Sequence, residues 1–109
     1  MPSLLSTQSQ DNETSTATCT FRLYVAGEAP NSVLALRNLK AICRDCYGED
    51  YRIDIVDVLL SPERAWKEGV IVTPMAVRVS PLPELQIIGN LSDTKLMLEI
   101  LGFSAKDHG

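Results

Sequence analysis

The sequence predicts a single α/β domain with the element order βαβαββα, and three patterns lead to that prediction. A short β-type run at residues 21–25 precedes a helix whose apolar residues are spaced by three and four, and a second apolar run follows at residues 51–59. Glycines and prolines then divide the remaining chain into short elements. A length of 109 residues favours one domain.

The first half carries the clearest periodicity. Phe21–Val25 predicts a strand that ends at Ala26-Gly27. Pro30, Asn31 and Ser32 offer a first-turn proline and capping side chains for a helix that ends at Gly48. The predicted buried stripe of that helix consists of Val33, Leu36, Leu39, Cys43 and Cys46. Residues 51–59 predict the second strand, and a strand–helix–strand unit of this length predicts a right-handed βαβ unit with parallel strands.

The second half is divided into shorter pieces. Ser61 and Pro62 predict a helix start, and Gly69 limits this helix to residues ending near Glu68. Residues 75–79 and 85–88 predict two strands around a turn that contains two prolines. Ser92 is expected to cap the last helix, with its buried side formed by Leu96, Met97, Ile100 and Leu101. The complete order is that of thioredoxin-like domains.

Composition excludes several classes of protein. The net charge of -4 argues against general affinity for nucleic acid or for an anionic membrane surface. No run of apolar residues is long enough for a membrane span, and the N-terminus lacks the features of a signal peptide. Three cysteines do not suggest a disulfide framework. We therefore expect a cytoplasmic protein with a disordered polar tail at residues 1–18, a domain at residues 19–103 and a short tail at residues 104–109.

Cys43 and Cys46 have the C-x-x-C spacing of redox proteins, but their position argues for buried structural thiols. A redox dithiol needs a stabilised thiolate, which the N-terminus of a helix provides. These two cysteines fall at the C-terminal end of the first predicted helix, and they continue its apolar stripe. Residues 28–32, where a thioredoxin carries its dithiol, contain no cysteine.

The sequence predicts no catalytic, cofactor or metal site. A zinc site requires about four ligands, and the single histidine, His108, lies in the predicted C-terminal tail. Asp54 and Asp57 fall on opposite faces of a strand, which argues against a pair of carboxylates. Trp66 is expected in the core, with an exposed anchor for a partner as the alternative.

Four segments, in their order and spacing over residues 20–102, resemble the KaiB family of clock proteins. They are Leu23-Tyr24-Val25-Ala26-Gly27 with Pro30-Asn31-Ser32, Ile55-Val56-Asp57-Val58-Leu59 before Pro62, Thr73-Pro74, and Ile87-Ile88-Gly89-Asn90-Leu91-Ser92-Asp93. The resemblance implies a protein without catalytic activity or cofactor. It also implies a resting homotetramer of order βαββααβ that converts slowly to a thioredoxin-like monomer of order βαβαββα.

The resemblance further implies that this monomer docks on the N-terminal ATPase ring of KaiC. The complex then sequesters KaiA, promotes dephosphorylation of KaiC, and competes with or recruits output histidine kinases. The candidate switch residues are Pro74, Gly89, Asn90 and Asp93. The candidate partner surface, chosen as one basic face with an adjacent segment, consists of Arg37, Lys40, Arg44, Arg78 and Glu84.

Weak local signals in the second half are compatible with such a switch. A helix of about seven residues is marginal alone, and two packings of one segment can differ by only a few kcal/mol.

Departures from the family pattern predict a divergent paralogue that serves a divergent KaiC. Asn90 stands where the family usually has aspartate, and Glu84, Leu85 and Gln86 stand where basic residues are frequent. Residues 104–109 replace the usual acidic tail. Two other functions remain alternatives: a stress-signalling adaptor outside a clock, and a thiol oxidoreductase that uses Cys43 and Cys46.

Overall fold

A computed structural model describes residues 17–70 and 72–103 and gives the element order βαβαββα. The strands are β1 (Cys19–Val25), β2 (Tyr51–Asp57), β3 (Met75–Ser80) and β4 (Leu85–Ile88), and the helices are α1 (Pro30–Tyr47), α2 (Pro62–Lys67) and α3 (Thr94–Ile100). The predicted thioredoxin-like fold class is confirmed. The alternative order βαββααβ stays a prediction. Residues 1–16 and 104–109 of the two predicted tails lie outside the described residues.

The four strands form one mixed sheet in the order β2-β1-β3-β4. β1 and β2 are parallel, with Cys19 opposite Tyr51 and Val25 opposite Asp57, which confirms the predicted parallel pairing. β3 runs antiparallel to β1, and β4 runs antiparallel to β3. β1 is therefore central, and β2 and β4 form the two edges.

Apolar side chains cover both faces of the sheet. The larger core lies under α1 and α3, where the sheet contributes fully buried Phe21 and Leu23, α1 contributes Leu39, and α3 contributes Met97. The smaller core lies on the opposite face and includes Tyr24, Val56, Met75 and Val77. Alternate residues of β1 reach the two cores because successive side chains of a strand point to opposite faces.

The buried face of α1 differs from the predicted stripe. Its buried residues are Ser32, Ala35, Leu39, Ile42 and Cys43. Val33, which we expected to be buried, is 45% exposed. The polar Ser32 takes the inward position because its Oγ accepts a hydrogen bond from the Ala26 N–H at 3.1 Å. Apolar periodicity cannot reveal such a residue, so the predicted stripe was displaced at its N-terminal end.

Two helix starts differ from the predicted caps. Neither Asn31 nor Ser32 caps α1, because Ala29 occupies the N-cap position and makes no side-chain hydrogen bond. Asp93, rather than Ser92, caps α3, and its carboxylate accepts the Leu96 N–H at 3.1 Å.

β2 ends at Asp57, two residues before the predicted end. The Asp57 Oδ1 accepts the N–H groups of Gly27 and Leu59 at 3.0 and 2.9 Å, respectively. These bonds turn the chain out of the sheet. At the other end of the first half, Thr18 of the predicted tail donates its backbone N–H to Asp50 Oδ1 at 3.1 Å.

Two side chains expected in the core are exposed. Trp66 is 86% exposed and Leu96 is 49% exposed. Each lies on a short helix with few inward positions: Ala65 is the buried residue of α2, and Met97 is the buried residue of α3. Successive residues of a helix are separated by about 100°, so the neighbour of the single inward residue points to the side.

Candidate partner-binding surface

The exposed face of α1 carries a row of cations. Arg37, Lys40 and Arg44 are all exposed, and their spacing of three and four places them on one side of the helix. Val33 lies one turn before Arg37 on the same side. Asp45 is the single acid of α1. Within residues 17–70 and 72–103, no ion pair involves any of the three cations.

The packing of α1 fixes this orientation. Leu39 and Cys43 are fully buried against the sheet, so the intervening residues of the helix point outward. The helix ends where Gly48, at a φ of +66°, donates its N–H to the Arg44 carbonyl at 2.9 Å. Arg44 in the last turn also interacts favourably with the negative end of the helix dipole. The basic row is therefore held on a rigid element.

The placement of Arg78 on the same exposed surface was wrong. Arg78 lies on β3 and is only 8% exposed, and its guanidinium donates to the Pro83 carbonyl at 3.0 Å. Its positive charge lowers the pKa of both Cys19 and Tyr47, although burial raises each of these pKa values more strongly. Arg78 therefore belongs to the margin of the core. Glu84 is exposed in the turn after Pro83, on the far side of β3 from α1 in the order of the chain.

The candidate switch residues form contacts that connect the second half to the first. The Gly89 N–H donates to the Pro74 carbonyl at 3.0 Å, next to the cis peptide bond between Thr73 and Pro74. Gly89 has a φ of +114°, a region that side-chain-bearing residues rarely adopt. Asp93 remains a local cap, as described above.

Asn90 binds two residues of α1 that the sequence did not indicate. Its carbonyl accepts from Asn38 Nδ2 at 2.8 Å, and its own Nδ2 donates to Asn31 Oδ1 at 3.3 Å. Its Oδ1 also accepts the Ser92 N–H at 3.1 Å. Asn31 and Asn38 are seven residues apart, which is two helical turns and a single face. That spacing was the available signal, but it acquires meaning only when the 89–91 loop lies against α1.

The thiols of the C-x-x-C motif lie at the C-terminal end of α1, as expected. Cys43 is fully buried, and desolvation raises its pKa to about 12. Burial also raises the pKa of Cys46, and the neighbouring Asp45 carboxylate adds to that shift. Both cysteines are free thiols. This arrangement disfavours the thiolate form that thiol–disulfide chemistry requires.

The position of the thioredoxin dithiol is occupied here by an apolar cleft. The cleft lies between the start of α1 and the edge strand β2, and Val25, Val33, Leu36 and Ile55 provide its apolar walls. Glu28 and Asp57 add carboxylates at its margin. Within the described residues no group of three or more His, Cys, Asp or Glu side chains is arranged to hold a metal ion. The same residues include no helix long and apolar enough to cross a membrane.

Comparisons of structure show what the fold is similar to. Chloroplastic thioredoxin z superimposes with a TM-score of 0.66 at 19% identity, covering 90% of this chain and 88% of that one. The N-terminal domain of SasA from Synechococcus elongatus gives a TM-score of 0.65 at 16% identity, covering 100% and 94%, respectively. At these identities the likeness shows the fold alone.

Comparisons of sequence identify the family. The model of the KaiB domain matches residues 22–103. The circadian clock protein KaiB3 of Synechocystis sp. is 39% identical over 77 residues, which cover 71% of this chain and 76% of the relative. The circadian clock oscillator protein KaiB of Synechococcus elongatus is 43% identical over 77 residues, with the same shares of the two chains. The chain therefore belongs to the KaiB family of circadian clock proteins.

Proposed function

We propose that this chain is a non-catalytic clock component that docks, in its thioredoxin-like form, on the N-terminal ATPase ring of a KaiC-like protein in the cytoplasm. Membership of the KaiB family supports the partner. The observation that carries the binding mode is the basic row of Arg37, Lys40 and Arg44 on α1, which has no intramolecular counter-ion within the described residues.

The chemistry of this row fits an acidic protein surface. The chain carries a net charge of -4, so a local row of three cations stands out against its overall sign. Charged groups at the rim of an interface mainly accelerate association and set its salt dependence. Val33, at 45% exposure, adds an apolar contact beside the cations. Glu84 and the 89–91 loop are secondary candidates for contact with the ring.

Docking on the ring has regulatory consequences under this proposal. The bound chain promotes dephosphorylation of the KaiC-like protein and provides a site that sequesters a KaiA-like protein. The fold shared with the N-terminal domain of SasA supports a competition with output histidine kinases, because two domains of similar shape can occupy one surface. The departures at Asn90 and Glu84 fit a paralogue whose contacts are adapted to a divergent KaiC.

The proposed timing depends on a slow conversion of the second half. A resting homotetramer of order βαββααβ would have to dissociate and refold before the thioredoxin-like monomer can bind. The short helices α2 and α3 support such a conversion, because helices of six and seven residues contribute little stability of their own. A minor competent state lowers the apparent affinity in proportion to its population.

The test is the binding of the cognate KaiC-like protein, followed for hours in each of its phosphorylation states. Reversal of Lys40 and Arg44 to Glu is expected to slow association at least about tenfold at low salt while the folded state is retained. Lys95→Glu is the matched control, since Lys95 is an exposed lysine on α3 and outside the basic row. Salt titration should reduce the difference between the variants.

Two outcomes would decide against this proposal. Binding of the Lys40→Glu/Arg44→Glu variant at the wild-type rate would remove α1 from the interface. Absence of a complex in every phosphorylation state would remove the clock role, and the chain would then be better explained as a signalling adaptor. A thiol oxidoreductase finds no support, because both C-x-x-C thiols have raised pKa values at the unfavourable end of α1.

A further inference from the structure

The segment from Leu59 to Lys67 presents an unusual amount of apolar surface. Trp66 is 86% exposed, Leu60 is 81% exposed and Leu59 is 67% exposed. Single exposed apolar residues are ordinary, but several large ones within eight consecutive residues form a patch that marks a binding surface. Tryptophan is also among the residues that contribute most to protein–protein affinity. This patch, together with the outer face of α2, is named the α2 surface.

The α2 surface is separate from the basic row and has its own charge pattern. Ala65 points into the protein. On one flank of α2, Arg64 and Glu68 are paired at 3.0 Å, and Glu68 also accepts from the Tyr24 hydroxyl. Rotation by about 100° per residue places Glu63 and Lys67 on the outward face and Trp66 with Pro62 on the other flank.

Glu63 and Lys67 have opposite charges and lie one turn apart. Neither takes part in an ion pair within residues 17–70 and 72–103. A surface with one exposed charge of each sign is complementary to itself, because a two-fold axis between the two residues brings Glu63 opposite Lys67 of a second copy, and Lys67 opposite its Glu63. A strongly charged partner would instead be matched by a surface of one sign.

We propose that the α2 surface is a self-association site at which two copies of this chain, both in the thioredoxin-like form, pair their α2 helices antiparallel about a two-fold axis. An axis that lies in the interface and crosses the helices at Ala65 keeps the two Trp66 side chains on one side of the pair. Each Trp66 then lies beside Pro62 of the second copy and covers apolar surface that is exposed in the single chain. Two reciprocal ion pairs fix the register.

The small size of the surface predicts a weak and concentration-dependent dimer. A stable interface buries about 800 Å² on each partner, which six residues of helix and two leucines do not provide. The dimer differs from the resting tetramer considered above, because it uses the thioredoxin-like fold. It leaves the basic row of α1 free, so a dimer bound to a KaiC-like ring would present two such rows.

The chain contains a single tryptophan, so its fluorescence reports directly on this surface. Over a wide range of concentration, we expect the Trp66 emission to shift to shorter wavelength as sedimentation shows monomer converting to dimer. Trp66→Ala should weaken the dimer at least about tenfold. Leu82→Ala is the matched control, because Leu82 is 79% exposed in the turn between β3 and β4. Equal dimerisation of Trp66→Ala and wild type would overturn the proposal.

A charge exchange tests the two-fold arrangement. Glu63→Lys and Lys67→Glu, made singly, create like charges across the axis and should weaken the dimer, whereas the double exchange restores opposite charges and should return dimerisation to near the wild-type level. A double variant as weak as the single ones would reject the antiparallel pairing. A wild-type chain that stays monomeric at all concentrations would reject self-association altogether. Neither result affects binding of a KaiC-like ring through α1, which the Lys40 and Arg44 variants test separately.

Discussion

The two halves of the domain are built to different standards. The first half, β1-α1-β2, contains strands of seven residues and a helix of eighteen, and its two strands pair over their full length. The second half contains helices of six and seven residues, and β4 has four residues. Most buried residues of the larger core come from the first half.

The difference shows where the fold is decided and where it can be altered. A long helix that packs along its whole length is stable in many contexts, because each turn adds buried apolar area. The second half depends instead on individual contacts, such as the Asn38–Asn90 and Gly89–Pro74 hydrogen bonds. Loss of a few contacts there can change the preferred packing, whereas the same loss in the first half should lower the stability of the whole domain.

The largest contrast is expected from one substitution made in each half. Leu39→Ala removes a fully buried side chain of α1 and should cost about 2–5 kcal/mol in the free energy of unfolding. Leu96→Ala removes a side chain that is 49% exposed on α3 and should cost clearly less. Urea denaturation of both variants measures the difference. Equal losses would mean that α3 contributes as much to the core as α1 does.

Gly89 and Gly48 provide a second pair. Gly89 has a φ of +114° and Gly48 has a φ of +66°, and an added Cβ meets no atom within 4 Å at either site. The penalty is therefore conformational, about 1–3 kcal/mol for Gly89→Ala and about 1–2 kcal/mol for Gly48→Ala.

Hydrogen exchange distinguishes the two glycine variants. Gly89→Ala should increase exchange at β4 and α3 before it affects α1, because the strain is confined to the second half. Gly48→Ala should loosen the end of α1 together with the start of β2. A uniform increase in both variants would contradict the division of the domain into two halves.

The buried thiol of Cys43 provides a test by pH within the first half. Its pKa rises from an ordinary 9.0 to about 12 in the folded protein, so the folded state binds the proton more tightly than the unfolded chain does. The resulting stability is fully present below pH 9 and is lost as the pH rises towards 12. Cys43→Ala should cost about 1–2 kcal/mol at neutral pH through lost packing, and it should flatten the decline in this alkaline range.

Thiol labelling checks the same point. Cys43 should react slowly with a maleimide under native conditions, because it is fully buried and protonated. Labelling of Cys43 at the rate of an exposed thiol would show that this end of α1 opens readily.

The smallest expected effect concerns the contact between the halves. Asn38→Ala removes a donor to the Asn90 carbonyl at 2.8 Å and should cost about 0.5–1.5 kcal/mol. Asn31→Ala removes a longer bond of 3.3 Å and should cost less. Both can be measured by thermal unfolding. A larger loss for Asn31→Ala would show that the side chain of Asn90, and not its backbone, ties the loop to α1.

The sequence was most informative where local and tertiary preferences agree. The element order, the parallel pairing of β1 with β2 and the position of Cys43 and Cys46 followed from periodicity and from the dipole of α1. The basic row of Arg37, Lys40 and Arg44 was also recognisable, because its spacing matches one helix face. These features depend on residues near each other in the chain.

The errors arose where one tertiary contact changes the environment of a residue. Ser32 is buried because it bonds to Ala26, Arg78 is buried because its guanidinium reaches Pro83, and Trp66 is exposed because α2 has one inward position. The sequence by itself determined the family, the fold class and the face of α1 that carries cations. Only the tertiary structure decided which polar groups enter the core and which apolar groups remain outside, since that choice depends on partners distant in sequence and on the length of helix that the sheet can cover.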